Sequence, residues 1–259
     1  MAIEHRSAAA GGRPRFVLLA SPRCGSTTLS ECLALHSEID LLFEPFHPDA
    51  GSPFAAEAER PLPPLDHLAR FDAELARIFA RHDGIKHVLH QLSPLLARRM
   101  LRTRGYRVIF LWRRNRLRQA VSNLLAFETA VWHAGDGPWP PAELPPLDVD
   151  RLAAMIAYYR DSQRIFRAML RVDGVDHLDL AYEDLFEAAA WAEQRRVLDA
   201  LFCYVGRRPL GDPAALDALR RALDPRRHRL NSPALYREIP NWRSIERRLA
   251  SADDGSLVD

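Results

Sequence analysis

Lysine is almost absent from this chain of 259 residues: of its 36 basic residues, 35 are arginines and one, Lys86, is a lysine. The bias is compositional, but ammonium and guanidinium differ in shape, hydration and reach, so a lone lysine marks a candidate site for a compact, mobile cation. Chance retention at a surface position is the competing explanation. Cysteine is scarce as well. Cys24, Cys32 and Cys203 make neither a disulfide framework nor a zinc-ligand spacing, and no metal is expected. No apolar run approaches the roughly 18 residues of a membrane span, and the opening MAIEHRSAAAGGRPR has no apolar leader core. A cytoplasmic protein without a membrane span is therefore expected. Charge of one sign is also lacking: a formal net charge of +2 gives no broad basic surface for nucleic acid, so any anion site must be local. The sequence leaves the oligomeric state open, a homodimer included.

What is present is a full core and an alternating pattern. With 47% hydrophobic residues, the length fits one domain. RFVLLAS (Arg15 to Ser21) reads as a buried strand, followed by a helix from Ser26 to about His36. IDLLFE (Ile39 to Glu44) reads as a second strand, stopped by Pro45. An amphipathic helix follows in LDHLARFDAELARIFARH. The strands GIKHVLH and YRVIFLW flank a helix that Ser93 would cap with Pro94 behind it. A helix from about Arg116 to Trp132, a proline-rich shaped loop around Trp139, a helix from about Val149 to Arg171 and a fifth strand, VDHLDLAYEDL, come next. Helices near Ala188 to Val205 and Pro213 to Leu223, then NWRSIERRLA, complete the chain. The pattern predicts an α/β fold: one P-loop-type, three-layer domain over 15–250 with a central parallel sheet of about five strands. Flexible segments are expected at 1–14 and 251–259. Ligands in such folds sit beyond the carboxyl ends of the strands.

Strand one runs through SPRCGSTTL into its helix, a geometry that points backbone amides and half a positive charge at an anion. It is not a Walker A loop, because no lysine follows Gly25. Arg23, Cys24, Gly25, Ser26, Thr27 and Thr28 are the candidate anion ligands, with plain helix capping by Ser26 as the alternative. Strand four ends in WRRNRLRQAVS. In a magnesium-dependent nucleotide hydrolase this strand end would carry a metal-binding acid; here it carries Arg113, Arg114, Arg116 and Arg118. Two basic clusters at equivalent strand ends suggest a ligand with two separated phosphates, bound without metal.

SPRCGSTTL resembles the loop that holds the 5′-phosphosulfate of 3′-phosphoadenosine 5′-phosphosulfate (PAPS) in sulfotransferases, in the form found in carbohydrate sulfotransferases and their bacterial relatives. RRNRLRQAVS is similar to the family's 3′-phosphate segment, which implies roles for Arg114 and Ser122, eight positions apart. LLFEPFH, YEDL and IPNW resemble further landmarks of the family. The resemblance implies PAPS as donor, PAP as product, and a hydroxyl of a carbohydrate, glycolipid or glycosylated small molecule as acceptor. Cys24 departs from the usual serine, and the histidine base and C-terminal lysine-glycine element of cytosolic aryl and steroid sulfotransferases have no match. DPRRHRLNSP (Asp224 to Pro233) is a candidate cover for the adenosine.

Sulfuryl transfer places charge on the leaving phosphate and equatorial oxygens, which fixed cations stabilise. Arg23 and Lys86 fit that task, and Glu44, ending strand two, is the best placed carboxylate to act as base; an exposed strand-end acid is its alternative, with His87, His90 or His47 then serving as the base. Phe46, His47, His87, His90, His133 and Trp139 are candidates for the acceptor wall. Three rivals remain open from sequence: an ATP-dependent phosphotransferase, a non-catalytic PAP-binding protein, and a phosphatase built on Cys24. The last lacks the arginine needed six residues on, where Ser30 stands.

Overall fold

The computed structural model describes residues 14–50, 52–54, 65–103, 105–132, 143–188, 190–224 and 231–258. Five parallel strands, β1 (Arg15–Ala20), β2 (Leu41–Phe43), β3 (Gly84–Val88), β4 (Tyr106–Trp112) and β5 (His177–Ala181), form one sheet in the order β2-β3-β1-β4-β5. β1 lies at the centre because it is apolar on both faces: all five residues after Arg15 are buried, as a strand covered by helices on each side must be.

Strand alternation sends Val17 and Leu19 to one face, where α2 (Leu65–Phe79) and α3 (Pro94–Leu101) cover them with Phe71, Leu75 and Met100. Phe16, Leu18 and Ala20 go to the other, against α1 (Ser26–Ala34), α7 (Trp191–Tyr204) and α8 (Pro213–Ala222). Burying each large side chain contributes on the order of 1.5–3 kcal/mol. A third cluster joins α4 (Arg116–Thr129) and α5 (Val149–Val172) to α9 (Pro233–Glu238) and α10 (Trp242–Leu249) through Leu124, Leu152, Tyr159, Tyr236 and Ile245. Capping follows the sequence signals: Ser93 Oγ accepts from Leu96 N ahead of α3, and Asp148 accepts from Asp150 N and Arg151 N ahead of α5.

The α/β fold with a five-stranded parallel sheet is the one expected, with local differences. β2 is only three residues long, because Glu44 turns into the left-handed region (φ 41°) before Pro45. α4 stops at Thr129, where Ala130 takes a left-handed C-cap (φ 55°). The fifth strand ends at Ala181, and YEDLF winds into a short helix, α6 (Tyr182–Phe186). The expected flexible tail is the largest departure: Leu257 is fully buried and Asp254 nearly so, since residues 251–258 pack on the start of α4. The expected N-terminal segment, up to residue 13, lies outside the described residues, as do 225–230 of the DPRRHRLNSP stretch.

Candidate active site

β1 leads into the turn Ser21–Gly25, tied to the neighbouring strand by Ser21 N to Leu111 O (3.1 Å). Arg23 (φ 56°) and Gly25 (φ 79°) are both left-handed. Gly25 has a second reason to be glycine: a Cβ there would sit 2.6 Å from the Phe186 ring. Gly25 is also the N-cap of α1, and no side chain caps that helix. The first-turn amides therefore lack intrahelical partners and face the crevice with the positive end of the dipole. Ser26, buried in that turn, does not serve as the cap; its carbonyl accepts from Ser30 Oγ at 2.8 Å. Thr27 and Thr28 are half-buried beside it.

Cys24 differs from its expected role. Its thiol points into the core and donates to Ser21 O at 2.7 Å, and burial pushes its pKa up to about 12. Only its backbone belongs to the loop, and a neutral buried thiol is no phosphatase nucleophile.

Lys86 reaches over from β3 with its side chain 4% exposed. Its Nζ donates to Thr27 Oγ1 at 2.8 Å and pairs with Glu44 Oε1 at 2.6 Å. The other oxygen of Glu44 accepts from Gln91 Nε2. Burial pulls the Glu44 carboxyl upward, but the charge of Lys86 and hydrogen bonds from Lys86 and Gln91 outweigh it and hold the group below the ordinary carboxylate range. Arg23 and Glu44 are two of the three non-glycine residues with positive φ among the described residues. Such conformations are costly and cluster where function fixes the backbone.

Across the crevice the structure redistributes the arginines of strand four. Arg114 is half-exposed and its guanidinium pairs with Asp184 and, at 3.7 Å, with Glu183 of α6. Ser122, expected as its companion, instead accepts from Arg23 Nε at 3.1 Å, while Arg23 Nη1 donates to Trp132 O at 2.7 Å. Arg116 is bonded to Gln163 and Asp254, and Arg118 to Leu257 O. Arg113 is the residue that sequence reasoning left without a role. It is buried, lies over the Tyr182 ring at 4.3 Å, stands 4.0 Å from Glu183 and from Glu187, and its Nε has no hydrogen-bond partner. Burial first, with repulsion from Arg113 adding to it, lowers the proton affinity of Arg23. Among the described residues Arg23 pairs with no carboxylate.

The acceptor wall is smaller than expected. Phe46 is fully buried against Phe71, and His87 is fully buried edge-on to Phe46, so neither meets an acceptor; both project from the chain into the core beneath the sheet. Both ring nitrogens of His87 lack partners, and burial takes its pKa down to about 3. His90 is exposed and His47 half-exposed near Glu44. His133 and Trp139 lie outside the described residues. Phe43, exposed with its ring 5.7 Å from Lys86 Nζ, and Trp132 are rim aromatics that single-residue patterns did not flag. Gln91 was equally silent, since a glutamine after a strand carries no signal of its own.

An uncapped helix start, a lysine bridging it to a carboxylate, and two arginines at the end of β4 are groups suited to an anion. The Stf0 sulphotransferase family model matches residues 85–221, a little over half of the chain. The chain thus belongs to the Stf0 sulfotransferase family and is a sulfotransferase by class. The match opens in β3 and closes in α8, so Lys86 and Ser122 fall inside it and the loop at 21–28 precedes it. Among solved structures, a crystal structure of mouse sulfotransferase SULT7A1 complexed with PAP is similar at 14% identity and TM-score 0.46, covering 96% of this chain and 70% of that one. A search of curated proteins found no match. Among the described residues no helix is long and apolar enough to cross a membrane, and no group of three His, Cys, Asp or Glu side chains is placed to hold a metal ion.

Proposed function

We propose that the protein transfers a sulfuryl group from PAPS to a hydroxyl of a carbohydrate, glycolipid or glycosylated small molecule, with Glu44 as the base and no metal required. The observation that carries this reading is the Lys86 bridge: one ammonium bonded both to Thr27 in the first turn of α1 and to Glu44.

The crevice suits a donor with two separated phosphates. The uncapped start of α1, from Gly25 to Thr28, with Lys86 beside it, fits the 5′-phosphosulfate. Arg23 and Ser122, with Arg113 behind them and its Nε making no hydrogen bond, fit the 3′-phosphate. Arg114 joins them only by giving up Asp184. PAPS supplies the activated sulfuryl group and departs as PAP.

Glu44 is a weak base while Lys86 holds it. An anion at the start of α1 competes for that ammonium, and Lys86, already bonded to Thr27, needs only to turn from the carboxylate towards it. Glu44 then regains proton affinity and accepts the acceptor's hydroxyl proton, with Gln91 keeping the carboxylate oriented. Donor binding and base activation are coupled through one side chain. His47 and His90 on the same rim fit acceptor contacts.

The test is a transfer screen with radiolabelled PAPS over sugar and glycolipid acceptors, in EDTA. Labelled product from the wild-type chain and none from Glu44→Gln at equal PAP affinity is the expected result. Tight PAP binding with no transfer to any acceptor would return the protein to a binding role.

A further inference from the structure

Residues 251–257 form a turn closed by backbone hydrogen bonds exchanged between Ser251 and Gly255 (3.1 and 2.9 Å). The turn lies on the start of α4. Leu117 N donates to Asp254 O at 3.0 Å, Asn115 Nδ2 to Ser256 O at 2.7 Å, and Arg118 Nε to Leu257 O at 3.2 Å. Gly255 (φ 86°) is in closest approach: a Cβ would come 2.4 Å from Asn115 Cγ, which only glycine avoids.

Asp254 is the centre of this contact and is 5% exposed. Its carboxylate accepts from Arg116 Nη1 at 3.2 Å, from Ser251 Oγ at 3.3 Å and from Arg160. Arg116 turns its Nε to Gln163 Oε1 (3.1 Å), and Gln163, buried, donates its amide to Arg113 O (3.3 Å). An unbroken chain of hydrogen bonds thus runs from Asp254 to the backbone of Arg113.

We propose that this turn is a brace for the donor's 3′-phosphate site and that Asp254 is its positioning residue. Through Arg116 and Gln163 it fixes the backbone from which Arg113 enters the crevice, and through Leu117 it fixes the first turn of the helix that carries Ser122. The proposal rests on the donor reading given above, in which Arg113 and Ser122 face the 3′-phosphate. A brace of this kind predicts a selective defect. A turn that merely adds fold stability predicts none, because the folded fraction would bind every ligand as before.

The experiment measures dissociation constants of the full chain for PAP and for adenosine 5′-phosphosulfate, which lacks the 3′-phosphate, in wild type, Asp254→Ala and Asp254→Asn. The expected result is PAP affinity about tenfold weaker in Asp254→Ala, in line with loss of a positioning contact, with partial recovery in Asp254→Asn and unchanged affinity for adenosine 5′-phosphosulfate. Should Asp254→Ala not fold, Arg160→Ala removes one partner of the carboxylate at an exposed position and is read the same way, with a smaller loss. Hydrogen exchange at the Leu117 amide, taken without ligand, is expected to quicken in the same variants. Equal loss for both ligands, or unchanged PAP affinity in a folded variant, overturns the brace. Wild-type protein that does not distinguish the two ligands overturns the donor reading instead, and the Leu117 exchange rate still reports on the brace.

Discussion

α1 and α4 both start just beyond the carboxyl end of a central strand, yet one start is open to an anion and the other is closed. At α1, glycine is the cap, no side chain bonds the first turn, and the nearest cation, Lys86, is shared with a carboxylate it can leave. At α4, Asn115 Oδ1 accepts from Arg118 N, Asp254 O accepts from Leu117 N, and the carboxylate of Asp254 already occupies Arg116. The comparison separates basic sequence from anion-binding capacity. RRNRLR is the more cationic stretch, but all four of its arginines are engaged by protein groups: Arg114, Arg116 and Arg118 by hydrogen bonds, and Arg113, the most deeply buried, by the Tyr182 ring and two carboxylates at 4.0 Å, with its Nε making no hydrogen bond.

On the proposed reading the two starts also divide labour, the α1 side turning over and the β4 side gripping, and each prediction sharpens or breaks that division. Glu44→Gln carries the largest expected effect: turnover falls by roughly 10²–10⁴, the usual worth of a positioned base, while PAP affinity measured by calorimetry stays level or improves slightly. Arg113→Ala acts on grip. Removing a buried charge from a phosphate contact costs about 2–5 kcal/mol, so PAP affinity falls by roughly 30-fold to 10³-fold or more, with adenosine 5′-phosphosulfate much less affected. Arg114→Ala removes a solvent-screened pair worth about 0–1 kcal/mol and shifts PAP affinity by less than about fivefold. A larger loss for Arg114→Ala than for Arg113→Ala would give the clamp back to Arg114.

A separate effect concerns stability under acid. The folded pKa of His87, near 3, lies below the unfolded value of about 6.5. The unfolded chain therefore binds more protons between those limits, and His87 lowers stability progressively as pH falls through that window, by up to about 1.4 kcal/mol per pH unit. His87→Phe, set among Phe46 and its neighbours, should match wild type in urea unfolding near neutral pH and exceed it by a growing margin as the pH falls below about 6. Parallel pH dependence in the two proteins would show that the buried imidazole does not titrate in this way.

The sheet and its helices were legible because apolar runs and caps are local signals: RFVLLA is buried on both faces wherever it sits, and Ser93-Pro94 starts a helix by itself. That the loop, Lys86 and Glu44 lie together follows for a related reason, since strand ends fix where neighbouring side chains go. Partner choice was not legible. Whether Arg113 or Arg114 turns to the crevice depends on the carboxylates of α6, some 70 residues later. That 251–258 would fold back depended on Gly255 meeting Asn115, 140 positions away. His87 and Phe46 were misassigned because strand parity and the turn at Pro45 send them to the core, opposite to Lys86 and Glu44.

The most direct test of the account is Lys86→Arg, with kcat on radiolabelled PAPS and the PAP dissociation constant taken from one preparation. Arginine keeps the charge but not the compact reach that lets one ammonium serve Thr27 and Glu44 in turn. The account predicts that kcat falls about tenfold or more while PAP affinity changes by less than about threefold, the signature of a group that acts in turnover. Full turnover with weakened PAP would contradict it, making Lys86 a binding group and leaving Glu44 without its switch.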